Sequence, residues 1–281
     1  MPHIPFRKMH GLGNDFVVLD GRRHPFALGP ARSRAIADRR TGIGCDQLIL
    51  LERPRDAAGQ AFMRILNADG SEAEACGNAT RCIARILGDE TGERQVRIET
   101  AGGLLEAELL ADGRVRVDMG PARTAWNEIP LAKPMDTLRV DLVLGPLAEP
   151  VCTNIGNPHA TFFANDVEAI DLAALGPRLE HDPLFPERAN IGVATIDGPE
   201  RIRLRVWERG AGITRACGTG ACAALVAAHR RGLTGRHAAL ALDGGELDIV
   251  WREDGRVMMT GPATLAYEGR FDPVQFGGGA A

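Results

Sequence analysis

The chain has 281 residues, 44% hydrophobic and 25% charged, with a net charge of −4 at pH 7. That length suits one large domain or two of about 140 residues with ordinary cores. The negative balance gives no electrostatic case for nucleic acid, and no apolar run reaches the ~20 residues of a membrane-spanning helix, so neither a nucleic acid nor a membrane is expected as a partner. The first residues carry no apolar signal core, which predicts a cytoplasmic protein whose thiols stay reduced. Arginine outnumbers lysine 31 to 2. The arginines are scattered, so this reads as compositional bias.

In chain order, ALGPARSRAIADRRTG (27–42) predicts a helix. Phe62, Arg64 and Leu66 interleave with Met63, Ile65 and Asn67, a period of two that predicts a strand. The alanine-bearing stretch after Cys76 predicts a helix from Ala79 to about Leu87, stopping near Gly88. Val115 and Val117 alternate with Arg114 and Arg116 as another strand. Prolines at 121, 130, 134, 146 and 150 mark a boundary region. DLAALGPRLEHD (171–182) predicts a helix, and Ile202, Leu204 and Val206 alternate with Arg203, Arg205 and Trp207 as a strand. A last helix is predicted from Gly220 to about Arg231, stopped by Gly232. The tail GGGAA (277–281) is expected to be disordered.

Beneath this order lies a duplication. ACGNATRC (75–82) reappears as ACGTGACA (216–223), the two Cys-Gly pairs standing 217 − 76 = 141 residues apart. The Gly-Gly pairs at Gly102 and Gly244 and the DGRV runs at Asp112 and Asp254 repeat at an offset of 142. Gly13-Asn14 matches Gly156-Asn157, and Gln47 matches Asn190, at 143. Asn67 and Glu208 each stand nine residues before their cysteine. A period this long means a duplicated domain rather than a solenoid. Strands around one central helix, written twice, predict an α+β fold of two pseudo-symmetric repeats. The lobes are expected at 1–121, with a tail near 264–281 returning to it, and at 122–263.

Of six cysteines, Cys45, Cys82, Cys152 and Cys222 read as buried small hydrophobes. Cys76 and Cys217 differ, because each precedes Gly at a predicted helix start. Free N–H groups and the helix dipole stabilise an anion there. They are expected to lower a thiol's pKa toward neutrality, where a general base works best. The same N–H groups can hold a carboxylate. The spacings C-x5-C and C-x4-C do not make a zinc quartet, and no C-x-x-C redox pair occurs. GTGACA has the outline of a dinucleotide-binding turn, but no βαβ alternation surrounds it.

The strings KMHGLGNDFVVLD (8–20), GIGCDQ (42–47), NADGSEAEACGNATRC (67–82), GNPH (156–159), ERANIG (187–192) and WERGAGITRACGTGACA (207–223) closely resemble the diaminopimelate epimerase family. They span the chain in the family's order. The wider group of proline racemases shares the cysteine pair without the NADGS and ERGAG combination. Two departures are Ile213, where the family often has Glu, and Trp207, where Tyr is more usual.

The resemblance implies an isomerase that converts LL- to meso-2,6-diaminopimelate without a cofactor or metal, as a homodimer. It implies that each repeat is a strongly curved sheet or barrel around its helix, with the active site in the cleft between them. Cys76 and Cys217 would be the catalytic thiolate and thiol. N–H groups around Gly77, Asn78, Gly218 and Thr219 would bind the carboxylate at the reacting centre, and Asn14 and Gln47 would support that end. Arg209 would pair with the distal carboxylate, aided by Asn67, Asn157 and Asn190, and Glu208 would take the distal ammonium. His159 would orient other groups. The alternative is a racemase of another amino acid, such as proline or hydroxyproline. A small substrate of that kind has no distal amino acid for Glu208 and Arg209 to bind.

Overall fold

A computed structural model describes residues 3–26, 28–74 and 76–276. The tail at 277–281 lies outside the described residues. The chain divides into two compact units, Met1–Val117 with Gly261–Ala281, and Asp118–Thr260. The sheets dominate and helices are few, so the fold is α+β.

The first unit opens with β1 (Ile4–Gly11) and β2 (Asn14–Asp20), an antiparallel pair. Helix α1 (Pro30–Ala37) then leads to β3 (Gln47–Glu52), parallel to β2. Strand β4 (Ala61–Asn67) runs antiparallel to β3 and carries the short β5 (Glu72–Ala73). Helix α2 (Gly77–Thr91) follows, then β6 (Gln95–Thr100), parallel to β4. The antiparallel strands β7 (Gly103–Leu109) and β8 (Val115–Pro121) complete the run.

The second unit adds a small hairpin, β9 (Val143–Leu144) with β10 (Leu147–Ala148), and then repeats the scheme. Strands β11 (Val151–Asn154) and β12 (Pro158–Phe163) are antiparallel. Helix α3 (Leu172–Glu180) leads to β13 (Asn190–Gly198), parallel to β12. Strand β14 (Arg201–Glu208), antiparallel to β13, carries the short β15 (Gly212–Ile213). Helix α4 (Gly218–Arg230) is followed by β16 (His237–Leu242), parallel to β14. Strands β17 (Gly245–Trp251) and β18 (Arg256–Gly261) extend it antiparallel. The order of parallel and antiparallel pairings matches that of the first unit step for step. Finally β19 (Thr264–Phe271) pairs antiparallel with β1.

The central helices are built to be surrounded. Every residue of α4 from Ala221 to Ala228 is fully buried. A helix apolar on all sides belongs inside a core, and α4 packs on β11 to β14, β16 and β17. Its alanines and glycines keep the helix slim enough for the strands to close on it. Helix α2 buries Ala79, Cys82, Ile83, Ala84 and Leu87 and packs on β1, β6 and β7. Among the described residues no helix is long and apolar enough to cross a membrane.

Three of the element ends that differ from the sequence expectation do so for a local reason. Helix α1 is much shorter than 27–42, because Asp38 turns its carboxylate onto the N–H groups of Arg40 (2.8 Å) and Thr41 (2.6 Å) and closes a turn there. Helix α2 runs past Gly88 to a left-handed Gly92 (φ 75°), whose N–H reaches Gly88 O at 2.8 Å. Gly88 makes room for a neighbour instead of stopping the helix: a Cβ there would lie 2.5 Å from the Leu109 side chain. Helix α4 begins at Gly218, two residues early, so Cys217 itself is the N-cap.

Gly42 shows how tightly the segment after α1 is drawn back. A Cβ at Gly42 would stand 2.2 Å from Ala35 O and 2.7 Å from Ile36 O, both backbone atoms that cannot yield cheaply. Gly42→Ala is expected to destabilise the protein by about 1–3 kcal/mol, the cost of overpacking. Urea unfolding of the variant checks this.

Candidate active site

The pairing registers bring the sequence's candidate residues to strand ends. In the first unit Asn14 begins β2, Gln47 begins β3 and Asn67 ends β4, with Phe16 opposite Gln47 and Gln47 opposite Asn67. In the second, His159 at the start of β12 stands opposite Asn190 at the start of β13, and Ile191 stands opposite Trp207, one residue before Glu208. Each unit's central helix starts beside these ends with its cysteine as N-cap. Cys76 and Cys217 hold extended backbones (φ −150° and −108°) that turn the chain into α2 and α4. Their carbonyls accept the first helical bonds, from Thr80 N at 2.9 Å and Ala221 N at 3.0 Å.

Around Cys76, the sulfur lies 3.8 Å from Asn14 Oδ1, which also accepts from Asn78 Nδ2 at 3.1 Å. Asn14 Nδ2 donates to Asp46 Oδ2 at 2.9 Å. Asp46 belongs to a charged network that sequence reasoning missed. Arg39 bonds both Asp15 and Asp46 at 2.6 Å, and Lys8 pairs with Asp15 at 2.5 Å. Half-burial alone would raise the Asp15 carboxyl, but Arg39 and Lys8 outweigh it and hold the group well below the usual carboxylate range. The signal was present in the strings GNDF and GCDQ, where an acid adjoins each named amide. Gln47 Nε2 donates to Asn67 Oδ1 at 2.9 Å, and Asn67 Nδ2 to Ser71 Oγ at 3.0 Å.

Around Cys217 the partners are of another kind. The sulfur accepts the Gly220 N–H at 3.3 Å and lies 3.6 Å from Thr219 Oγ1. Gly220 suits this close approach: a Cβ there would be 3.1 Å from the sulfur and 3.0 Å from Val206, so a neighbour would have to shift by a few tenths of an ångström. The Glu208 carboxyl accepts from Thr214 Oγ1. Cys217 is only 3% exposed, and burial pushes its thiol well above the ordinary range. The Glu208 carboxylate pushes the same way, while Thr219 and the Gly220 N–H oppose it. The expectation of a lowered thiol pKa therefore does not hold for Cys217 in the free protein, because desolvation exceeds the stabilisation from the helix start. Burial likewise pushes Cys45, Cys82 and Cys152 up to about 12.

Next to this lies a polar cluster formed by β12, β13 and the turn after β14. His159 Nε2 stands 2.8 Å from Asn157 Oδ1, and an amide oxygen only accepts, so the ring donates from Nε2. Burial lowers the His159 pKa to about 3, and the nearby Arg209 charge adds to it. Asn190 donates to Pro158 O at 2.9 Å and accepts the Arg209 N–H at 3.0 Å. Arg209 Nη1 reaches Glu187 O at 2.9 Å. Gly77 and Gly218 offer only backbone, as the first residues of α2 and α4.

These features have counterparts among known proteins. A family model described as diaminopimelate epimerase matches residues 6–125 and 151–266. The chain is 63% identical over 264 residues to the diaminopimelate epimerase of Rhodospirillum centenum, covering 94% of this chain and 91% of that one. It is 60% identical over 268 residues to that of Acidiphilium cryptum, covering 95% and 96%. A solved hydroxyproline epimerase from Agrobacterium vitis, with bound trans-4-OH-L-proline, superposes with a TM-score of 0.70 at 17% identity, covering 99% and 94%. That last likeness is one of fold.

The buried neutral histidine sets a pH dependence. Its folded pKa of about 3 lies below the ordinary 6.5, so the unfolded chain binds the extra proton between these values. Stability is fully present above pH 6.5 and falls as the pH drops toward 3. His159→Asn should lose about 1.6 kcal/mol less than the parent between pH 6.5, where the unfolded imidazole is half protonated, and pH 5, where it is almost fully so. Urea unfolding at the two pH values measures the difference.

Proposed function

The chain belongs to the diaminopimelate epimerase family, and from that premise we propose that it interconverts LL- and meso-2,6-diaminopimelate with Cys76 and Cys217 as the two proton-carrying groups. The enzyme is an isomerase. The reaction serves lysine and peptidoglycan precursor formation. The observation that carries the cysteine assignment is their equivalence: each is the N-cap of its unit's buried central helix.

The α-proton of an amino acid is a very weak acid, and its removal without a cofactor needs charge stabilisation in a dry site. Inversion needs a base on one face of the carbon and an acid on the other. One cysteine as thiolate takes the α-proton, and the other as thiol delivers its own to the opposite face. The carbon regains one proton, and the cysteines exchange roles for the reverse direction. The N–H groups of Gly77, Asn78, Gly218 and Thr219, freed by helix geometry, are assigned to the substrate's reacting carboxylate. Asn14 and Gln47 support this end.

The distal amino acid is assigned to Asn67, Asn157, Asn190, Glu208 and Arg209. Arg209 takes the carboxylate and Glu208 the ammonium. His159, neutral and bonded to Asn157, orients this cluster. A proline or hydroxyproline racemase would have no use for Glu208 and Arg209, which favours the longer substrate. A cytoplasmic homodimer completes the proposal, on the strength of the family resemblance.

Cys76→Ala and Cys217→Ala are each expected to lower epimerisation of LL-diaminopimelate by at least about 10³-fold, since no other group replaces the lost proton carrier. A coupled assay that consumes only the meso product measures it. Either variant retaining near-full turnover would refute the pair.

A further inference from the structure

We propose that Glu180, at the end of α3, is a positioning residue that clamps the Glu208–Arg209 turn in its substrate-binding shape. The inference rests on the function proposed above for that turn. Glu180 is 3% exposed. A carboxylate this deep costs several kcal/mol in lost hydration unless its oxygens are matched by donors. They are matched, and by residues in a telling position. Oε2 accepts from Trp207 Nε1 at 2.7 Å, and Oε1 accepts from Gly210 N at 3.0 Å. Trp207 and Gly210 stand immediately on either side of Glu208 and Arg209. Arg188 Nη1, at 3.4 Å, adds a weaker contact to Oε1.

The remaining amides of the turn are held as well. Arg209 N donates to Asn190 Oδ1 at 3.0 Å, and Ala211 N donates to Glu208 O at 3.0 Å. Gly210 is left-handed (φ 75°), which lets the chain reverse so that its N–H points back at Glu180. Helix α3 is shaped to receive the indole: at Gly176, one turn before Glu180, a Cβ would stand 2.5 Å from the Trp207 ring. An apolar side chain at 180 would fill the same space without the desolvation cost. What it could not do is accept from both flanks of the turn at once. The two oxygens of one rigid carboxylate fix the distance between the Trp207 indole and the Gly210 amide, and so fix the two residues between them.

Glu180→Gln tests this, because an amide presents one acceptor and one donor to two N–H groups. Hydrogen exchange of the 209–211 amides is expected to quicken by about tenfold. KM for LL-diaminopimelate should rise by about tenfold while kcat stays within about threefold, because bound substrate restores the turn. A purely structural role would lower the amount of folded enzyme and leave the KM of the folded fraction unchanged. Unchanged exchange overturns the clamp, and faster exchange with unchanged KM overturns its positioning role. Should Glu180→Gln not fold, Trp207→Phe removes a single donor and is expected to raise both quantities by about threefold; no change there overturns the proposal. Wild-type enzyme without any turnover would refute the proposed function instead, and hydrogen exchange alone would then decide the clamp.

Discussion

The structure depends on one constraint: a helix buried on all sides still has a first turn whose N–H groups find no partner within the helix. In α4 nothing from Ala221 to Ala228 reaches solvent, so the core around it is dry and its start is where polarity must be handled. Placing a cysteine at that start does two things. The sulfur takes up one of the free amides, as Gly220 N does with Cys217 at 3.3 Å. The amides of Gly218 and Thr219 are the ones assigned above to the substrate's carboxylate. In each unit taken by itself, strand ends carry these polar groups: the ends of β2 to β4 hold the amides of the first unit, and the ends of β12 to β14 hold the histidine, Asn190 and the Glu-Arg pair of the second.

Duplication supplies this arrangement twice, and the two copies treat sulfur differently. Cys76 stands near an acceptor, the Asn14 carbonyl oxygen, which is kept in that orientation because its own amide nitrogen is bonded to Asp46. Cys217 stands near a backbone donor, a hydroxyl and a carboxylate. At Cys217 opposing influences meet, with burial and Glu208 resisting a thiolate and Thr219 and the Gly220 N–H favouring it. A charge that is costly in the free protein becomes less so when a cationic ammonium is brought near, since an opposite charge favours the ionised form. Under the proposed assignment the substrate itself therefore helps to make the base that acts on it.

Much of this was legible in the sequence, and the reasons are specific. The alternation at 62–67 and 202–207 gave two strands whose ends hold Asn67 and Glu208, and the alanine run after Cys217 identified α4. The α+β class follows from those patterns repeated at a fixed offset. Gly88 misled as a helix stop because its reason lies in Leu109, far along the chain and invisible to local pattern. The thiol of Cys217 misled because a helix start is a local feature whereas burial is a property of the whole core. Glu180 and the Lys8–Asp15–Arg39–Asp46 network escaped for the same reason: a carboxylate's importance is set by which donors tertiary folding brings to it, and no spacing in the sequence encodes that.

The central claim is that two separate groups carry the proton, one for each face of the carbon. Turnover of LL-diaminopimelate in heavy water tests it most directly, with product and remaining substrate analysed at low conversion. The two-thiol account predicts solvent deuterium at the inverted α-carbon of the meso product, while recovered LL substrate stays unlabelled, since each thiol exchanges with solvent between turnovers but returns substrate only its own proton. Meso product that retains the original proton would mean that a single group moves it from one face to the other, and would contradict the account.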